Sequence, residues 1–191
     1  EGGDYYLYIN GGYVVVNAEG DGIDSNGGIV MTNGIVLVTG PTNNGNGAFD
    51  YMSNFSISGG LLVAVGSAGM AQAPSAESAQ NSVLINLDSP LAAGTIINIQ
   101  DRSGNNLLTF TPLKTYQSVA FSSPDLESGN EYTINIGGNV NGEVADGLST
   151  TDGYTGGSQY TSFSVSGSVT LLGTASGYGP GGMTGGGGWP H

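Results

Sequence analysis

Asp21, Asp24 and Asp50 are the residues of this sequence best placed to do chemistry. Asp21 and Asp24 share a glycine-rich corner, Ala18-Glu19-Gly20-Asp21-Gly22-Ile23-Asp24-Ser25-Asn26-Gly27, which also carries Glu19 and Asn26. Asp50 ends a second corner, which runs from Gly40 to Tyr51. If the chain stacks in coils, Asp50 falls near Asp24. Adjacent carboxylates repel unless a cation bridges them, and flexible, oxygen-rich corners suit calcium. The expected metal set is therefore Asp21, Asp24, Asp50, Glu19 and Asn26. The competing reading makes them solvated turn residues that cap corner amides.

Catalysis finds little to work with. A β-elimination needs a basic side chain beside the metal. Arg102 and Lys114 are the only basic residues. Both fall in the second half of the chain and are expected to lie away from the acidic corners. His191 is the only histidine, so a Ser-His-Asp arrangement has no scaffold. The expectation is a non-enzymatic protein.

The elements that hold these corners come from a repeat. Leu7–Val16, Ile29–Val38 and Phe55–Ala64 each read as a short β-run, a small-residue corner and a second β-run. Their corner glycines are Gly12, Gly34 and Gly60. Strand–Gly–strand units at such a period point to a parallel β-solenoid. Within each unit, Val14 and Val16, Val36 and Val38, and Leu62 and Ala64 alternate so as to share a face. Residues 1–78 are thus expected to form a short right-handed parallel β-helix of about three coils.

Residues 79–172 read as an antiparallel, β-sandwich-like cap on the last coil; an irregular continuation of the solenoid is the alternative. The expected strands are Ser82–Leu87, Thr95–Gln100, Leu107–Thr111, Gln117–Phe121, Tyr132–Ile136 and Thr161–Leu171. Asp101–Asn106 is a hairpin turn. Leu126–Tyr132 resembles the corner before a late strand of immunoglobulin-like sandwiches. Gln72–Ala79 is the one weak helix candidate, and Pro74 limits it to a turn. Residues 173–191 are a Gly-rich tail expected to dock on a neighbour through Tyr178, Met183 and Trp189.

Composition narrows the partners. The chain has 191 residues and a formal net charge of −13, with only two basic residues against fifteen acids. Such a surface repels phosphate backbones and anionic membranes, so nucleic acid is excluded as a partner and membrane insertion is not expected. Only 9% of residues are charged, against about 25% in an average protein. That low charge density, with abundant Gly, Asn, Ser and Thr, suits an extracellular β-protein. Cysteine is absent, so thiol chemistry is too. The chain opens at Glu1 rather than Met, as expected of a processed or truncated product.

Several strings carry a family resemblance. AEGDGIDSNG (18–27), GPTNNGNGAFDY (40–51), NSVLINLD (81–88), AGTIINIQD (93–101) and TYQSVAFSSPDL (115–126) resemble secreted bacterial carbohydrate-binding β-helix proteins. These are of the clostridial cellulose- and pectin-binding cell-surface type. The resemblance spans about residues 10–170 and corresponds to the C-terminal part of the usual family protein. It implies a parallel β-helix, bound calcium and polysaccharide binding without catalysis.

Two roles follow as expectations. The chain is a structural subunit of a cell-surface filament, a homopolymer stacked head to tail. Alternatively, it is a calcium-dependent carbohydrate-binding module for plant cell-wall or acidic polysaccharide. Tyr5, Tyr6 and Tyr13 are the expected sugar-stacking residues. Tyr5, Tyr6 and Leu7 border the exposed end of the first coil, where an uncovered edge invites assembly.

Overall fold

A computed structural model describes residues 5–173, and the structure is all-β. Tyr178, Met183 and Trp189, with nearly all of the expected tail, lie outside the described residues. The first part of the chain contains β1 (Tyr6–Asn17), β2 (Ile23–Ser25), β3 (Gly28–Thr39), β4 (Phe49–Tyr51), β5 (Phe55–Ile57) and β6 (Leu61–Gly66). The second contains β7 (Ser82–Leu91), β8 (Ile97–Asp101), β9 (Asn106–Phe110), β10 (Tyr116–Ser122) and β11 (Glu131–Ile136). It then continues through β12 (Asn139–Val140), β13 (Val144–Ala145), β14 (Leu148–Ser149), β15 (Tyr154–Thr155), β16 (Ser158–Ser164) and β17 (Val169–Leu172).

The three repeats stack in parallel. Leu7 pairs with Ile29 and Ile9 with Met31, and Val30 pairs in turn with Ser56. Beyond the corner, Val14, Val36 and Leu62 follow one another across the sheet. Gly12, Gly34 and Gly60 all have positive φ, at 88°, 104° and 93°. Only glycine takes that conformation without strain. Stacking adds a second demand, because a Cβ on Gly60 would stand 2.5 Å from the Gly34 carbonyl oxygen. The glycine is thus fixed by both backbone angle and close approach.

The large sheet does not stop at the repeats. Its order is β1-β3-β6-β10-β7-β17, with β5 also paired to β3. Strand β10 runs antiparallel to both β6 and β7. Strand β17 is parallel to β7, so the sheet is mixed where an antiparallel cap is expected from sequence. A second sheet, β13-β14-β9-β8-β11-β16, is antiparallel throughout.

Both faces of the middle of the large sheet are buried. On one face, Val36, Val38, Leu62, Ala64, Leu84 and Ala120 pack with Phe49, Phe55 and Ile57. On the other, Leu37, Val63, Val65, Val83, Ile85, Val119 and Phe121 pack against Ile97, Ile99, Phe110 and Ile134 of the second sheet. This is why Leu61–Val65 reads as an unbroken apolar run. Each fully buried aliphatic side chain there contributes about 1.5–3 kcal/mol.

The segment after β6 closes the open side of β5 without forming a strand. The Ser75 hydroxyl accepts from the Phe55 amide at 2.8 Å, and the Ser78 hydroxyl accepts from the Ile57 amide at 3.1 Å. The Ser75 and Gln80 amides donate in return to the carbonyls of Phe55 and Ile57. Small polar side chains here substitute for a missing rung, and Gln72–Ala79 carries no helix.

Two turns hold the second sheet. Asp101 accepts from the amides of Ser103 (2.8 Å) and Asn105 (2.9 Å), closing the β8–β9 hairpin. Tyr132 holds the turn before β11: its hydroxyl donates to the Asp125 carbonyl at 3.1 Å and accepts from the Glu127 amide at 2.7 Å. The single strand expected over Thr161–Leu171 is instead two. Strand β16 belongs to the second sheet and β17 to the large one. Between them Val165 exchanges backbone bonds with Gly129 and Asn130, and Ser166-Gly167-Ser168 lets the chain change sheets.

Gly60→Ala tests the stacked corner against Gly94→Ala. Gly94 also has positive φ, at 81°, but an added Cβ there meets nothing within 4 Å. Gly94→Ala is expected to cost about 1–2 kcal/mol, the left-handed penalty alone. Gly60→Ala is expected to cost a further ~1–3 kcal/mol, because atoms must also give way. Thermal melts of the two variants check this, and equal losses would contradict the stacking.

Candidate functional site

The acidic corners are positioned by the small parallel pair β2–β4. Ile23 pairs with Phe49, Asp24 with Asp50 and Ser25 with Tyr51. Alternation sends Ile23, Phe49 and Tyr51 into the core and turns Asp24 and Asp50 outward. Neighbouring parallel strands lie about 4.8 Å apart, so the two carboxylates stand side by side. Asp21 lies close enough to act on Asp50 through its charge. Its Oδ1 accepts from the Gly47 amide at 2.8 Å, tying one corner to the next.

The electrostatics follow. Partial burial, then the charges of Asp21 and Asp24, push the Asp50 carboxyl above its ordinary value of 3.8. The folded protein therefore holds the Asp50 proton more tightly than the unfolded chain does. Stability falls as pH rises through that window, and at neutral pH the charged Asp50 opposes folding.

The other members of the expected metal set are placed differently. Glu19 pairs with Lys114, Oε1 to Nζ at 2.8 Å, and the same ammonium donates to the Ala18 carbonyl at 2.8 Å. This corrects the expectation that both basic residues lie away from the acidic corners. Lys114 reaches the corner because the large sheet carries the β9–β10 connection across to it. Arg102 does lie elsewhere, paired with Glu131 at 2.9 Å. Asn26 is exposed in the turn between β2 and β3. Among the described residues, no three acidic or imidazole side chains converge closely enough to hold a metal ion alone.

The tyrosines divide at the glycine corner. Tyr6 and Tyr8 lie on the outward face of the first half of β1, with ring centroids 6.0 Å apart and a 35° tilt. Tyr5 precedes them and is 69% exposed. Leu7 faces the core side yet stays 39% exposed, because no rung lies above it among the described residues. Tyr13 sits beyond the corner. Its hydroxyl donates to Asp146 Oδ2 at 3.1 Å, and so it reaches the turn between β13 and β14. The structure thus brings Tyr5 and Tyr6 together with Tyr8 and sets Tyr13 apart from them.

Sequence reading missed that turn, although its signal is present. Asp146-Gly147 is a two-residue hairpin turn in which both residues have positive φ, at 50° and 88°. A second acidic group was also missed, around a cleft of about 310 Å³ lined in part by Asp101, Asp125 and Glu127. Its acids have structural work. The Asn105 side chain and the backbone amides of the turn hold the Asp101 carboxyl below its ordinary range. Glu127 accepts from the Asn130 side chain at 3.0 Å.

Asp50→Asn is expected to raise the melting temperature at pH 7 in chelator and to flatten its decline with rising pH. If the carboxylates share calcium, millimolar calcium should stabilise the parent chain and not the variant. Saturation at one hundred times the dissociation constant corresponds to about 2.7 kcal/mol. Melts of both proteins with and without calcium check this; a variant less stable than the parent in chelator would contradict the repulsion.

Comparison of the chain with protein-family models, with curated proteins and with solved structures finds no match in any of the three.

Proposed function

We propose that this chain is a non-enzymatic structural subunit that assembles head to tail into an extracellular, cell-surface filament. One observation carries the reading: among the described residues the large sheet ends in two edge strands, β1 and β17, each paired on one side only. An uncovered edge presents unpaired amides and carbonyls and is a template for another chain. Soluble monomers blunt such edges with lysine, proline or a covering loop. Strand β1 carries no lysine or proline, and among the described residues no loop covers it; it carries Tyr6, Leu7, Tyr8, Tyr13 and Val15, all 39–62% exposed. On β17, Leu171 is 60% exposed. A contact that joins two different surfaces of one molecule propagates into an open polymer. In this reading the three parallel repeats are the coils of a short right-handed parallel β-helix, and the two-sheet part is its cap.

The net charge of −13 sets the conditions. Like-charged subunits repel, and salt screens that repulsion over about 10 Å at 0.1 M. Purified protein is expected to polymerise more readily as sodium chloride rises from 10 to 300 mM. Negative-stain electron microscopy and sedimentation check this. A monomer at every salt and protein concentration would overturn the proposal.

A second reading has its own observation, the Asp24–Asp50 pair with Asp21 nearby, in a chain that also exposes the rings of Tyr5 and Tyr6. In it the protein is a calcium-dependent carbohydrate-binding module for acidic plant cell-wall polysaccharide, with calcium bridging protein and sugar carboxylates. Affinity electrophoresis through polygalacturonate should then show retardation with calcium, and none with chelator or for Asp24→Asn. Equal mobility in all three would remove this reading.

A further inference from the structure

We propose that the edge strand β17 of one copy pairs in parallel with the second half of β1, Tyr13–Asn17, in the next copy, so that the large sheet runs on between subunits. The inference rests on the head-to-tail reading and names its contact.

Strand direction comes first. Strands β1, β3 and β6 are mutually parallel. Strand β10 opposes β6, and β7 opposes β10, so β7 again runs with β6. Strand β17 is parallel to β7. The two edges left open among the described residues therefore run in the same direction. A copy placed below by translation along the sheet, with whatever twist the strands impose, brings its β1 alongside β17 in parallel. The alternative, β1 against β1 about a two-fold axis, would be antiparallel and would leave both β17 edges open.

Side-chain facing comes second. Leu171 is in register with Leu84, which belongs to the core shared with β2, β4 and β5. Leu172 is in register with Ile85, which belongs to the core shared with the second sheet. On β1, Val14 and Val16 pack on the first of these cores, while Tyr13 and Val15 are in register with Ile35 and Leu37 of the second. Each edge thus offers apolar side chains to both faces, and pairing them extends both cores across the junction. The half-exposed Val15 and the exposed Leu171 gain neighbours that the described residues of their own chain do not supply.

The second sheet agrees. Its edge strands are β13 and β16. The β13 end is tied to β1 by Tyr13 and Asp146. The β16 end is tied to β7, beside β17, by the Asp88 amide and the Tyr160 hydroxyl at 3.2 Å. Both sheets accordingly finish at the same two ends of the molecule, so one stacking operation brings both pairs of edges together.

The absence of cysteine makes the contact testable by cross-linking. Five strand spacings separate β1 from β17 within a chain, roughly 24 Å. A disulfide needs Cα atoms within about 7 Å, so it can form only between copies. The variants are Leu171→Cys combined with Val14→Cys or with Val16→Cys, which share a face. Leu171→Cys with Val15→Cys is the opposite-face control, and Leu171→Cys alone is the symmetric-contact control. Under mild oxidation of assembled protein, one of the same-face pairs is expected to give a ladder of multimers on non-reducing gels, and both controls none. Hydrogen exchange of the unaltered chain supplies a second measure: amides within 13–17 and 169–172 should slow on assembly. Filaments without ladder or protection would overturn this pairing and leave the head-to-tail reading standing. Covalent dimers from Leu171→Cys alone would overturn it in favour of a two-fold contact. A chain that never polymerises would overturn both.

Discussion

Strand β6 has no solvent face, and much of the molecule depends on that. Its odd and even residues belong to different cores: Leu62 and Ala64 to the stacked repeats, Val63 and Val65 to the two-sheet part. Burial on both faces requires that something cover each, and the chain supplies covers from both directions. Before β6, the corners and β2, β4 and β5 close one side. After it, the second sheet closes the other. Neither part has a core that excludes the shared sheet, so loss of packing on one side is felt by the other. Interiors this dense transmit such changes rather than absorb them.

The same sheet explains how an acidic, cysteine-free chain with so many glycines holds a defined shape. Glycine is costly in unfolded-state entropy. At the stacked corners the cost cannot be avoided, because an added Cβ on Gly60 would collide with the Gly34 carbonyl. Lys114 acts in the same sense, since one ammonium clamps the first acidic corner to the connection before β10 through Glu19 and the Ala18 carbonyl. An exposed ion pair contributes little to stability by itself, but its geometry spans both parts of the chain.

Much of this was legible in the sequence where local patterns carry the information. Alternation in the three repeats gave the strands and their shared face, and the corner glycines gave the register. The register then set Asp24 beside Asp50. The Tyr132 corner and the Asp101 turn were readable because turn chemistry is local. What could not be read was which strands become neighbours. Val165–Ser168 looks like the middle of one strand, and only its exchange of bonds with Gly129 and Asn130 shows the change of sheet. The Lys114–Glu19 pair joins residues far apart in sequence, and no spacing rule anticipates it. Tyr13 reads as one of a tyrosine cluster, yet the glycine corner turns it away toward Asp146.

The order of strands also sets a schedule. Val169 pairs with Ser82, and β10 separates β7 from β6 although it follows both in the chain. Contacts so distant in sequence form late, after long loops have closed. The pairings of β1, β3 and β6 join residues nearer in sequence than those of β17, so the β1 edge takes shape before the β17 edge. The β17 edge exists only once residue 172 has been made and has found its place. If copies join edge to edge as proposed, the strand order imposes a delay: the β1 edge could receive a partner before the β17 edge could be offered.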